Sequence, residues 1–229
     1  MPGPRETTAE IGARFVASML AGDCFTSETV RRARSISMLH EASLWALGQC
    51  AGMSDGPVLE LGPYIGGSCT MLAAGARHGV ISVEIGGPNP GHPQTPTLDT
   101  IADLRRNLAS AGLAGNVEII EGHAMDMGVA ARVEAALAGR KAGMMFVDID
   151  PGTEKAITLY SRWLADGAIL VVDDYASEVA VDKAAGVKAF IAAGVQAGVI
   201  EPIGLYPWGT WFGRLTGPAS RLAETGWLR

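Results

Sequence analysis

The chain has few cysteines and no ordered pattern among them. Only Cys24, Cys50 and Cys69 occur in 229 residues, with no pair at C-x-x-C spacing, which excludes a disulfide scaffold and a thiolate metal site and fits reduced thiols in a cytoplasmic protein. No uncharged apolar run approaches 18 residues, and no basic flank followed by an apolar stretch opens the chain. Neither a membrane span nor a signal peptide is indicated, so a soluble protein is expected. An excess of positive charge is also missing. The net charge of −6 argues against a nucleic-acid backbone as partner and leaves small neutral or cationic partners. There is no internal repeat and no low-complexity linker.

What is present is a globular composition, 48% hydrophobic and 18% charged, in a length suited to one α/β domain with at most a small extension. The informative stretch is Val58-Leu-Glu-Leu-Gly-Pro-Tyr-Ile-Gly-Gly-Ser-Cys69. Apolar residues around Glu60 predict a short buried strand, Gly62, Gly66 and Gly67 a turn, and the run to Gly75 a helix. Glycines at the carboxyl end of a strand let a ligand lie against bare backbone. Here the spacing is E-x-G-x-x-x-G-G and not G-x-G-x-x-G, which weakens a pyrophosphate reading. Ile81-Ser-Val-Glu84 then forms a second strand whose terminal carboxylate is placed for two ribose hydroxyls. A ribose without a pyrophosphate points to an adenosyl group such as S-adenosylmethionine.

The rest of the chain alternates. Helices are expected over Ala9–Ala21, over Val30–Cys50 as one piece, and over Asp99–Ala111, Val129–Leu137, Glu154–Leu164 and Lys183–Ala193. Strands are expected over Asn116–Glu121, Gly143–Asp148 and Ala168–Asp173, with a closing hairpin of Val199–Leu205 and Thr210–Leu215 around Tyr206-Pro-Trp-Gly209. The helices before the first strand are expected outside the doubly wound core, as a cap over its carboxyl edge or a dimer surface, and either pack plainly or cover the substrate. The fold class is a three-layer doubly wound α/β sheet, mostly parallel and seven-stranded, with a C-terminal antiparallel hairpin.

Asp148, Asp173 and Asp174 end two strands that are neighbours in such a sheet. Three carboxylates at one crevice repel one another unless a cation compensates, and all-oxygen donors favour Mg²⁺ or another hard divalent ion. Capping of the following segments is the plain alternative. Asp150 is a fourth acid within reach, as ligand, base or surface residue.

The glycine motif resembles that of class I S-adenosylmethionine-dependent methyltransferases, in particular their catechol O-methyltransferase-like, metal-dependent branch, over roughly Val58 to Tyr175. The resemblance implies a 1–52 helical cap before a 53–229 methyltransferase domain, methyl transfer to a hydroxyl of a catechol-type aromatic or natural-product sugar, and a homodimer. It places Glu60 near the methionine amino group, Gly62, Tyr64, Gly66 and Ser68 along methionine and ribose, Glu84 on the ribose, and His123 and Ala124 at the adenine. It makes Asp148, Asp173 and Asp174 the metal ligands. The chain departs at Pro151, where the catechol enzymes carry a Lys base and the sugar enzymes a His. Lys155, Asp150, His40, His92 or His123 are the substitutes, or the metal alone activates the hydroxyl. An NAD-dependent oxidoreductase and a non-catalytic cofactor-binding protein are the competing readings. The Pro88–Pro96 loop is either a surface excursion or a lid, and Trp208 and Trp211 either stack on an acceptor or pack.

Overall fold

The computed structural model describes residues 7–21, 27–149, 151–176 and 181–217. Its elements run α1 (Thr8–Ala21), α2 (Glu28–Ser35), α3 (Glu41–Met53), β1 (Val58–Leu61), α4 (Gly67–Gly75), β2 (Val80–Glu84), α5 (Thr100–Ser110), β3 (Val117–Glu121), α6 (Met127–Leu137), β4 (Ala142–Val147), α7 (Thr153–Ser161), β5 (Leu164–Val172), α8 (Val181–Gln196), β6 (Ile200–Leu205) and β7 (Trp211–Leu215). One seven-stranded sheet has the order β3-β2-β1-β4-β5-β7-β6. Strands β1 to β5 pair in parallel, and β7 pairs antiparallel with both β5 and β6.

Alternation along the central strands separates two cores, because successive side chains leave opposite faces. On one face Val58, Met144, Phe146, Val171 and Phe212 pack with Leu44 and Leu47 of α3, Leu72 of α4 and Leu104 of α5. On the other, Leu59, Leu61, Met145, Val147 and Leu170 pack with Val133 of α6, Tyr160 of α7 and Ile191 of α8. This is the expected three-layer fold. Among the described residues no helix is long and apolar enough to cross a membrane.

Two features differ from the sequence expectation. The helices before β1 do not stand outside the core: Phe15 of α1 is fully buried, edge-on to Trp45, Tyr206 and Phe212, and Leu44, Leu47 and Cys50 of α3 are fully buried. Their apolar stripes carry no mark of which sheet face they cover. The single helix expected over Val30–Cys50 is two, broken at Ile36–His40. Ser37 Oγ accepts the Leu39 N–H at 3.1 Å, and His40 Nδ1 accepts the Ala42 N–H at 3.1 Å as the N-cap of α3. Side chains that satisfy backbone donors locally compete with helix continuation.

Helices α3 and α4 cross where both are reduced to glycine, since a Cβ at Gly75 would overlap the Gly48 carbonyl oxygen. Gly75→Ala is therefore expected to destabilise the fold by about 1–3 kcal/mol through backbone displacement. Urea unfolding checks this: the midpoint falls while the m-value stays at its wild-type level.

Candidate active site

The site forms where the hydrogen-bond ladder runs one residue past the parallel strands. The N–H groups of Gly122, Gly62, Asp148 and Asp173 donate across the sheet to the carbonyls of Glu84, Val83, Leu61 and Val147, at 2.8, 3.0, 2.9 and 3.0 Å. Strands lie about 4.8 Å apart, so these bonds bring residues from the ends of all the parallel strands, β1 to β5, to one level at the carboxyl edge. Gly62 adopts φ +89, and a Cβ there would overlap the Asp148 carbonyl oxygen, so only glycine fits.

Two cavities open along this edge. The smaller, of about 210 Å³, is bordered by Glu84 and Ile85, by Gly122, His123 and Ala124, and by Ile149 and Pro151. The larger, of about 680 Å³, is bordered by Ile36–Leu39, Gly67 and Ser68, by Asp173, Asp174 and Ala176, and by Leu205, Tyr206 and Gly209. Gly62, Tyr64 and Asp148 border both.

Glu84 anchors the smaller cavity. Its Oε2 accepts the Tyr64 N–H at 2.9 Å and its Oε1 the Gly86 N–H at 3.1 Å. Burial holds its carboxyl above the usual range, against the lowering effect of those backbone donors. His123 borders the same cavity with Nδ1 accepting the Met125 N–H at 3.1 Å, and the Ala124 carbonyl accepts the Tyr160 hydroxyl at 2.8 Å.

In the larger cavity Asp148, Asp173 and Asp174, all half-buried, bring carboxylate oxygens within 4.8 Å of one another. Thr210, which the sequence reading missed, donates its hydroxyl to Asp173 Oδ1 at 2.7 Å. Only the β5–β7 register, with Val172 opposite Trp211, brings Thr210 to Asp173. Asp174 adopts φ +56, a left-handed turn that ends β5 and directs the chain along the cavity.

Other expected residues stand apart. Glu60 borders neither cavity: it is fully buried beneath the glycine turn, accepting the Ser68 hydroxyl at 2.6 Å and the Ser82 hydroxyl at 2.7 Å. Gly66, φ +98, caps α4 below the cavity rim. Lys155 is exposed on α7 and borders neither cavity, while Asp150 lies outside the described residues. His40 and His92 also lie off both linings. Tyr206 does face the larger cavity, but burial pushes its hydroxyl up, so it stays protonated. Trp211 is packed: it is buried and stacks on Tyr175 with ring centroids 5.9 Å apart. The side chain of Trp208 lies outside what the structure describes.

A parallel sheet closed by an antiparallel β7 beside β5, with glycine turn, acidic strand ends and a cleft along the carboxyl edge, defines the class I methyltransferase fold. Residues 59–175 match the family described as a methyltransferase domain, and the chain belongs to that family. It is a class I S-adenosylmethionine-dependent methyltransferase, which sets aside the oxidoreductase reading. No curated protein matches it in sequence. Among solved structures it is similar to the O-methyltransferase TomG of Streptomyces achromogenes, involved in tomaymycin synthesis and in complex with S-adenosylmethionine: 17% identity, 90% of this chain and 99% of that one, TM-score 0.65. It is also similar to a Bacillus cereus O-methyltransferase in complex with S-adenosylhomocysteine, at 17% identity over 93% of this chain and 92% of that one, TM-score 0.57. A third is the S-adenosylhomocysteine-bound methyltransferase PaMTH1 of Podospora anserina, at 17% identity over 87% and 95%, TM-score 0.59.

Glu60 gives a test of the buried layer under the site. Burial raises its carboxyl pKa, so the native state holds this proton more tightly than the unfolded chain does. Its contribution is present in full below the ordinary carboxyl value of about 4.3 and is lost as pH rises through the folded value. Relative to wild type, Glu60→Gln should gain stability with rising pH above about 4.5, by at most about 1.4 kcal/mol per pH unit. Urea titrations between pH 4.5 and 8 decide it; a pH-independent difference contradicts the assignment.

Proposed function

We propose that the protein is an O-methyltransferase acting on a hydroxyl of a small molecule, assisted by a divalent cation. The observation that carries this reading is the convergence of Asp148, Asp173 and Asp174 within 4.8 Å, in a cavity that adjoins the Glu84 cavity. The donor set fits the ion: all oxygens are hard and anionic, without imidazole or thiolate, which selects Mg²⁺ over Zn²⁺. Three half-buried carboxylates also repel one another, and a dication offsets that repulsion.

Bound S-adenosylmethionine supplies an electrophilic methyl group, and a cation on the three carboxylates supplies charge that makes a nearby hydroxyl more acidic. The chain's own residues do the rest. Glu84 is placed to receive ribose hydroxyls, its carboxylate already aimed by the Tyr64 and Gly86 N–H groups. Gly62 offers bare backbone where the two cavities meet. The Thr210 hydroxyl fixes the direction of Asp173. Ile36, Met38, Leu39 and Leu205 give the larger cavity an apolar wall that excludes water and suits an aromatic acceptor or the apolar face of a sugar. Proximity of the two cavities places acceptor and donor for an in-line displacement.

No Lys, Arg or His is among the described residues bordering the larger cavity. Among those residues the three carboxylates, besides water, are left to take the acceptor's proton. Pro151, where relatives carry the base, also motivates a second reading, that of an adenosyl-binding protein without turnover. Methyl-release assays against catechols and sugar hydroxyls, with and without Mg²⁺, separate the two. Inactivity towards every acceptor beside tight S-adenosylhomocysteine binding would favour the second.

Under the first reading, Asp173→Asn lowers turnover at least about 100-fold, since a cation at such a site stabilises the transition state by several kcal/mol and each 1.4 kcal/mol is about tenfold. Binding of S-adenosylhomocysteine, followed by calorimetry, stays within about threefold of wild type. Full activity of this variant in the presence of a chelator would refute the metal role.

A further inference from the structure

The segment between Glu84 and Thr100 reads in sequence as a Pro-rich excursion, but it is braced throughout. Asn89 and Thr97 form an antiparallel bridge with N–H···O distances of 2.8 and 3.1 Å. The Thr97 hydroxyl donates to Asp103 Oδ2 at 2.6 Å, and the Thr100 N–H donates to the Gly87 carbonyl at 3.1 Å. At the tip, His92 Nδ1 accepts the Thr95 N–H at 2.9 Å and the Gln94 N–H at 3.3 Å. A ring nitrogen that accepts backbone donors carries no proton, so the neutral ring is protonated on Nε2. That atom faces Met38 Sδ at 2.8 Å.

The tip also grips the glycine turn. The Tyr64 hydroxyl donates to the Thr95 carbonyl at 2.6 Å, and the His92 ring lies 5.4 Å from the Tyr64 ring, centroid to centroid. Tyr64 is held at φ +52, with its N–H on Glu84. It borders both cavities, and Met38 borders the larger. The loop thus grips two residues that border the cavities, Tyr64 and Met38, while Pro88–Pro96 themselves border neither.

We propose that the Pro88–Pro96 loop is a strap that fixes the wall of the cofactor cleft, and that His92 is the positioning residue that holds it on Tyr64 and Met38. The inference rests on the S-adenosylmethionine reading of the two cavities. Four prolines, at 88, 90, 93 and 96, limit the conformations open to the released loop, so closing it loses little entropy. Its ties to the body of the protein are a few polar contacts near the surface, which open locally without unfolding the sheet. The strap leaves the strand ends in place and sets how fast spent cofactor leaves.

The experiment is the dissociation rate of S-adenosylhomocysteine by stopped-flow displacement, for wild type, His92→Ala and His92→Asn. His92→Ala is expected to release the product about tenfold faster, with acceptor KM and the melting temperature of the cofactor-free protein near wild type. In His92→Asn the Oδ1 still accepts the Thr95 N–H, so its rate falls between the other two, and it carries the comparison if His92→Ala fails to fold. Release from either variant at the wild-type rate overturns the strap while leaving the cofactor assignment intact. So does a rise in acceptor KM with unchanged release. Failure of the wild-type protein to bind S-adenosylhomocysteine overturns both.

Discussion

The organising constraint is the single-residue overrun of the parallel ladder at the carboxyl edge. Backbone bonds from Gly122, Gly62, Asp148 and Asp173 fix the ends of β1 to β5 at one height. Side chains from positions as distant as Glu84 and Asp174 then share a cleft with no dedicated scaffold. The same bonds are fully paired main-chain groups in a buried sheet, so they are the least deformable part of the molecule. Side chains set on such ends keep their spacing.

Electrostatics follow from that placement. Each of the acids sits at a different depth. Glu60 is wholly enclosed and balanced by two serine hydroxyls, Glu84 is mostly buried but aimed by two backbone donors, and the three aspartates stand half-exposed around open space. Desolvation favours the neutral form of the first. An acidic pattern that looks uniform in sequence is therefore divided between a buried layer and the open cleft.

Around this rigid edge the variable walls come from the connections. The break between α2 and α3 turns Ile36–Leu39 into the cavity, the β6–β7 turn supplies Leu205 and Tyr206, and the β2–α5 loop reaches Tyr64 and Met38 through His92. All three lie outside the segment 59–175 or in its longest loop. The strand ends thus lie inside the segment that matches the family, and two of the three walls lie outside it.

Strand order, the glycine turn, the carboxylate that ends β2 and the aspartates at two strand tips were legible without coordinates, because periodicity and turn chemistry are local properties. The antiparallel hairpin was legible too, since its two strands are too close in sequence for a crossover. Other features were decided only by tertiary structure. The turn at Ile36–His40 depends on serine and histidine side chains choosing backbone partners over helix continuation. The burial of Glu60 depends on Ser82 from the neighbouring strand, and the aim of Asp173 on Thr210, 37 residues away in sequence just before β7. The sequence by itself determined which segments form the sheet and which residues end its strands. The fold decided which of those residues face the cleft, because that depends on register and on partners that local pattern does not encode.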